Sequence, residues 1–177
     1  MPENALDRSP LCFALAALLV VSASTGAFAQ TPASPASAGK AQGQLSLAGK
    51  TVPLKVANAI ALTDHEGKPY TLVLLTEAPI DLASVVASPD PLTTLLNFAP
   101  VNAVTHAKVF VDDVRVYINA HSAGDSGQYL ATRKFGLEAK VSGGGTKPLE
   151  GSLRSTDPEM SVQIEVTFKA DLIKPGS

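Results

Sequence analysis

The stretch that decides the fold lies near the end of the chain, where residues 160–172 read Met-Ser-Val-Gln-Ile-Glu-Val-Thr-Phe-Lys-Ala-Asp-Leu. Apolar side chains occupy every even position of this stretch, and polar side chains occupy every odd one. Successive side chains of a strand point to opposite faces, so a period of two predicts one long strand with a buried face and a wet face. That arrangement is typical of antiparallel sheets, which keep one face on the core.

The same period recurs along most of the preceding chain, between frequent turn signals. About eight such strands predict an all-β domain, an antiparallel β-sandwich of immunoglobulin-like or similar form, spanning residues 44–174. Residues 56–62 are apolar on both faces, which predicts a strand that is covered on both sides. The other predicted strands are a hairpin over 45–54 that turns at Gly49-Lys50, then 70–76, 107–118 with a break at Asp112-Asp113, 135–141 and 149–155.

Residues 78–100 break the period and contain four prolines. Asp90-Pro91 fits a helix N-cap followed by proline in the first turn. The leucines Leu92, Leu95 and Leu96, with Phe98, then form one apolar stripe of a short helix. We therefore expect one short crossover helix, which either covers an open end of the sandwich or faces a partner.

The N-terminal region has the layout of a secretory signal. Residues 11–21 form an unbroken apolar run, and Ala27-Phe28-Ala29 follows as a cleavage site of the A-x-A type. A run of eleven residues is too short for a membrane span, which needs about 20. The sequence predicts a signal peptide over 1–29, a flexible Pro/Ala/Ser-rich tether over 30–43, and a periplasmic or secreted product without a membrane span.

The charge of the chain excludes one class of partner. It has 14 basic and 16 acidic residues, scattered without a basic cluster. Binding to nucleic acid needs a patch that neutralises phosphates, so no nucleic-acid partner is expected. The single cysteine, Cys12, lies inside the predicted signal, so the mature domain is expected to depend on its packed core rather than on disulfides.

One motif suggests a serine protease. Gly124-Asp125-Ser126-Gly127 matches the nucleophile motif of trypsin-like enzymes, and His106 and either Asp112 or Asp113 precede it in the right order. Those enzymes bring the triad together from distant parts of the fold, whereas His106 and Asp112 are six residues apart on one predicted strand segment. A polar hairpin tip is the favoured interpretation, and no catalytic residue is assigned.

A metal site would require several ligands to converge. Asp64-His65-Glu66 lies on a predicted turn, and His106 and His121 could join it across the fold. Zinc needs three or four convergent ligands, and adjacent residues on a turn point apart. The sequence therefore assigns no metal ligand and no cofactor.

The segment from 121 to 131 is the other region without the strand period. It carries small polar residues, and Tyr and Arg are favoured where a protein contacts a partner. The candidate binding residues are Tyr129, Arg133, Asp125 and Ser126.

The pattern G-x-L-x-L-x-G-K at Gly43–Lys50, an alanine-rich strand and L-L-T-x-x-P ending at Pro79 resemble uncharacterised exported β-rich proteins of Gram-negative bacteria. The resemblance covers residues 43–79 and implies no activity. We favour a non-enzymatic binding or structural module of the cell envelope, with an envelope protein or glycan as partner. The alternatives are a small-ligand carrier with a cavity between sheets, and a hydrolase or metalloenzyme with a scattered site. A cleft in which a histidine meets carboxylates would favour the enzyme, and a filled core would favour the module.

Overall fold

The computed structural model describes residues 38–47, 49–112, 116–123, 128–132 and 136–175. Within these ranges the chain forms ten strands, three helices of four to six residues and a single sheet. In chain order the elements are β1 Gly39–Leu47, β2 Lys50–Thr63, β3 Pro69–Thr76, α1 Ala83–Val86, α2 Pro91–Leu96, α3 Ala99–Asn102, β4 His106–Val111, β5 Val116–His121, β6 Gln128–Thr132, β7 Leu137–Gly144, β8 Lys147–Ser155, β9 Val162–Ala170 and β10 Leu172–Ile173.

The strands lie in the order β6-β5-β4-β3-β2-β1-β9-β8-β7, and every neighbouring pair on this path is antiparallel. The short β10 runs parallel to β2, beside Ala59 and Ile60. The prediction of an all-β, antiparallel fold is confirmed. Where two packed sheets were expected, one continuous sheet curls until it is nearly closed and barrel-like, with ten strands instead of about eight and three short helices instead of one.

The inner face of the sheet encloses an apolar core, which we call the inner cluster. All nine strands from β1 to β9 contribute buried side chains to it, and β9 contributes the most. The predicted alternation is confirmed over β9, because Val162, Ile164, Val166, Phe168 and Ala170 all point inwards and are buried. The strand is shorter than predicted, since it ends at Ala170 and Leu172 belongs to β10. This core occupies the concave side of the sheet with packed side chains.

Phe168 shows why this core needs a glycine. Its cross-strand neighbour on β8 is Gly151, and a Cβ atom at that position would come within 2.5 Å of the phenyl ring. The ring therefore covers the glycine backbone, an arrangement that shields an otherwise bare point of a sheet.

A bulge bends the sheet where β1 meets β2. The register between them shifts between Lys40 and Gly43, and the alternation of β2 shifts at the same level. Leu54 and Ala57, three residues apart, both belong to the inner cluster. Such irregularities bend a strand and increase its twist, so this one helps the long β2 to curl the sheet around its core.

The crossover, residues 77–105, lies over the outer face of the sheet. Side chains from α1, α2 and α3 pack on outward-facing residues of β2 and β3, forming a second apolar group that we call the outer cluster. The predicted N-cap is confirmed, because the Asp90 side chain accepts a hydrogen bond of 3.1 Å from the Thr93 N–H and Pro91 follows at the first helical position. The members of the outer cluster are Ile60, Leu62, Leu72, Leu74, Leu82, Val85, Leu95 and Val101, with Tyr70, Ile80, Val86, Leu92, Phe98 and Phe110 at its border.

Two expectations about the crossover were wrong. It covers a face of the sheet rather than an open end, because the outward residues of β2 and β3 are as apolar as the inward ones. Leu96 does not share the stripe of Leu95 and is 42% exposed. A helix of only six residues has a narrow buried face, and consecutive residues on it point about 100° apart.

The structure moves the end of the predicted tether. β1 begins at Gly39, so residues 39–43 belong to the sheet rather than to a flexible segment. The predicted signal peptide lies outside the described residues. Each helix found among the described residues is too short to cross a membrane.

Candidate functional site

The outer surface of the sheet has two halves, one covered by the crossover and one open. The covered half comprises the outward side chains of β3, β4 and the second part of β2, next to the crossover, with His121 of β5 at its edge. The open half comprises the outward side chains of β1, β9, β8 and β7. Each half contains polar groups.

The open half carries three rows of polar side chains, set by the registers of four strands. Most of these side chains are exposed, as the alternation of β9 predicts. The first row is Glu138, Arg154, Glu165 and Gln44; the second is Lys140, Ser152, Thr167 and Gln42; the third is Ser142, Glu150, Lys169 and Lys40.

A shallow groove of about 690 Å³ follows the first two rows. Arg154 lies in register between Glu138 and Glu165, and within the described part of the chain it forms no ion pair with either. The third row differs, since Lys169 Nζ lies 2.6 Å from Glu150 Oε1. The hydrogen bond and charge of Glu150 raise the pKa of Lys169.

The groove therefore offers donors and acceptors of both charge signs on a rigid support. Strands hold these side chains at fixed spacings of about 4.8 Å across the sheet. The guanidinium of Arg154 presents several N–H donors in a planar fork suited to carboxylates. Such a surface fits a polar partner.

The covered half contains a basic cluster, which we define as His106, Lys108 and His121. His106 and Lys108 lie two residues apart on β4 and so share a face, and His121 is the cross-strand neighbour of His106 on β5. Their exposed fractions are 0% for His106 and 1% for Lys108. The two imidazole rings stack with centroids 4.9 Å apart and planes 10° apart.

One hydrogen bond orients His106 against the crossover. The Nδ1–H of His106 donates to the carbonyl oxygen of Val104, 2.9 Å away, which leaves Nε2 as the unprotonated nitrogen. Among the described residues, neither the buried Nε2 of His106 nor that of His121 has a hydrogen-bond partner. Buried polar atoms normally have a hydrogen-bond partner, so these two nitrogen atoms mark a place that suits a hydrogen-bonding ligand or a water.

Burial dominates the electrostatics of the cluster. It lowers the pKa of His106 to about 4, against the opposing effect of the hydrogen bond to Val104. Burial likewise lowers the pKa of Lys108, and burial together with the charge of Lys108 lowers that of His121. Each shift has the same cause, since a charged form is disfavoured away from water.

Among the described residues, His106 and Asp112 do not come together as a protease triad requires, and Asp113, the alternative acid, lies outside them. His106 lies at the start of β4 beneath the crossover, and Asp112 follows the end of the same strand, roughly 20 Å away at the usual rise per residue. Asp125, Ser126 and Arg133 lie outside the described residues. Tyr129 is placed in β6 by its backbone, and its side chain is likewise outside the description.

The proposed convergence of the histidines is half right. His106 and His121 do meet, but His65 lies on the exposed turn between β2 and β3, where its ring is 3.9 Å from Glu66. The register places that turn at the other end of β3 from Thr76, which is the cross-strand neighbour of His106. Roughly 24 Å of strand separates the two ends. Among the described residues no group of three metal-ligating side chains occurs.

Sequence reasoning missed Lys108, which was expected to be a solvated residue of an alternating strand. The outward positions of β4 are polar or mixed, so their period predicts a wet face. The sequence indicated this burial only indirectly. The leucines of the crossover need an apolar surface to pack on, and β2 and β3 are the strands that are apolar on both faces.

Comparison with protein-family models, with curated proteins and with solved structures finds no match to this chain. The similarity noted over residues 43–79 therefore stays a resemblance, and the functional argument depends on the geometry of the two halves.

Proposed function

We propose that this chain is a non-enzymatic binding module of the cell envelope, and that the open half is its binding surface. The observation that carries the proposal is the groove along β1, β9, β8 and β7, in which Arg154 lies between two carboxylates without an ion pair to either in the described residues. A charged group that is exposed and not ion-paired is free to contact a partner.

The rest of the described structure favours a module over the alternatives. Apolar side chains from nine strands fill the inner face, where a carrier would hold its ligand. His106 and His121 stack on each other next to Lys108, and in the described residues they form no ion pair with a carboxylate. The predicted signal peptide supports placement in the envelope.

A protein fits the open half better than a glycan does. The groove is lined by glutamine, glutamate, lysine, arginine, serine and threonine residues, with Gly43, Ala139, Leu153 and Val166 between them. None of the residues that line it is aromatic, and a sugar ring commonly stacks on an aromatic side chain. Neighbouring charges of both signs suit a complementary protein surface, where they determine specificity and association rate.

The test uses mature protein from a periplasmic fraction, immobilised and exposed to envelope extract. We expect quantitative mass spectrometry to find a species that wild type retains and Arg154→Glu loses. Lys50→Glu is the matched control, since it makes the same charge change at an exposed position in the β1–β2 hairpin. Digestion of the extract with protease should abolish capture, whereas a glycan partner would survive it.

A second variant tests the surface by shape rather than by charge. Thr167→Arg places a large side chain in the middle row of the groove. If both Arg154→Glu and Thr167→Arg retain the same species in the same amounts as wild type, the open half is not the binding surface and the proposal fails.

A further inference from the structure

We propose that the basic cluster of the covered half binds a small oxyanion, such as a carboxylate or sulfate group, and takes up a proton with it. Lys108 supplies a positive charge, and His106 and His121 supply two imidazole rings at the same level of the sheet. The three side chains share one face of β4 and β5, beneath the end of the crossover.

The Lys108 side chain is buried along almost its whole length, without a counter-charge. It forms no ion pair within the described residues, and an ammonium that is partly shielded from water is stabilised by an opposite charge beside it. The crossover carries Glu77, Asp81 and Asp90, all of which are exposed. Asp81 accepts a hydrogen bond from the Ala83 N–H and Asp90 one from the Thr93 N–H, so both serve the crossover itself.

The two imidazole rings give a second indication, which does not depend on charge. The Nε2 atoms of His106 and His121 are buried and lack a hydrogen-bond partner among the described residues. Because the Nδ1–H of His106 already donates to Val104, Nε2 is the atom that would take up a proton. Once protonated, it becomes a hydrogen-bond donor on the same face of β4 as Lys108.

The groups that face His106 set the expected pH dependence. β3 contributes Thr76, whose hydroxyl donates to the carbonyl of Ala78. The crossover contributes the carbonyls of Val101 and Val104, which favour the charged imidazole, while Lys108 and His121 disfavour it. An anion reverses the balance, because it stabilises every positive charge around it. Binding therefore strengthens as pH falls, by up to about tenfold per pH unit for each proton taken up.

The experiment titrates the mature protein with sulfate and, separately, with formate, in cationic buffers between pH 7 and pH 5. Both probes keep a fixed charge in this range. Histidine side-chain NMR signals report binding directly, and we expect those of His106 and His121 to shift with saturation. The apparent Kd should fall about tenfold between pH 7 and pH 6 if one proton is taken up.

Variants separate a bound anion from a lysine that merely fills space. Lys108→Met keeps the length of the side chain and should abolish saturable binding, while Lys50→Met, at an exposed position, should leave it unchanged. His106→Gln should retain binding with a weaker pH dependence, because it removes the nitrogen that takes up the proton.

Two results would overturn the proposal. One is that the histidine signals of the wild-type protein do not move with either probe at any pH tested. The other is that Lys108→Met gives the same titration as wild type. Since both measurements use only defined ions, they stand apart from the capture experiment on the open half.

Discussion

The two halves of the outer surface belong to one sheet, yet their sequences differ in a simple way. β3 is apolar at outward positions, where Leu72 and Leu74 pack under the crossover. β9 is polar there, with Glu165 and Thr167 in solvent. A sheet needs one apolar face to form a core, and a second apolar face must find its own cover. The covered half is therefore a structural layer as well as the proposed anion site, whereas the outward side chains of β9 in the open half are mostly exposed.

The difference also separates two kinds of polar residue. In the open half a charged side chain costs little, because water solvates it. In the covered half Lys108 is 1% exposed, so its charge needs compensation. A buried polar side chain is a stronger indication of a specific small ligand than an exposed one is. An exposed polar side chain is instead accessible to a docking protein.

Both halves of the sheet share the inner cluster, so we expect a substitution in that cluster to have the largest effect on the free energy of unfolding. Phe168→Ala removes a ring that is buried in the inner cluster and covers Gly151. We expect it to lower the free energy of unfolding by about 3–5 kcal/mol, measured by urea titration. Thr167→Ala, the outward neighbour, is the control, and a loss as large as that of Phe168→Ala would mean that the two faces of β9 are reversed.

The second prediction tests whether the covered half is held by its crossover. Leu95 and Leu96 are adjacent on α2, one fully buried and the other 42% exposed. Leu95→Ala should cost about 2–5 kcal/mol because it leaves a cavity over β2 and β3. Leu96→Ala should cost less than about 1 kcal/mol, as expected for a partly exposed side chain. Similar small losses for both variants would show that the crossover contributes little to the fold.

These particular residues also show how far the sequence could be taken. Phe168 and its neighbours were predictable, because a period of two assigns each side chain to a face without knowledge of the partner strands. The N-cap at Asp90 was predictable for the same local reason. The single curled sheet was not, because strand order depends on pairings between distant residues.

The candidate sites were harder still to predict. The burial of Lys108 depends on the crossover, residues 77–105, which ends just before β4 and packs on the outer face of the sheet. The stacking of His106 on His121 depends on the register of β4 and β5, which the sequence of the two strands does not determine. The groove of the open half depends on four strands from both ends of the chain.

The third prediction uses pH to sharpen the contrast between the halves. The pKa of His106 is about 4 in the folded chain and close to 6.5 when unfolded. Between these values the unfolded state binds more protons, so stability is complete above about pH 6.5 and is lost as pH falls towards 4. The loss should reach about 3 kcal/mol, an order-of-magnitude figure from the difference in pKa.

The measurement is urea unfolding in cationic buffers, without added oxyanion. His106→Gln should flatten the dependence over this pH window, even though it lowers stability at neutral pH. A matched replacement of the exposed His65 by glutamine should leave the slope unchanged. An identical slope in wild type and His106→Gln would place the titrating group elsewhere.

The smallest effect is expected in the open half, where a binding surface should tolerate change without loss of stability. Glu165→Ala removes an exposed carboxylate from the row that contains Arg154. It should alter the free energy of unfolding by less than about 0.5 kcal/mol, since isolated surface charges contribute little. The same urea titration checks this, with Glu66→Ala as a control at an exposed turn whose carboxylate lies 2.6 Å from Lys68. A loss above about 1 kcal/mol would mean that Glu165 has a structural partner, and the open half would then be a stabilising layer rather than a surface kept free for contact.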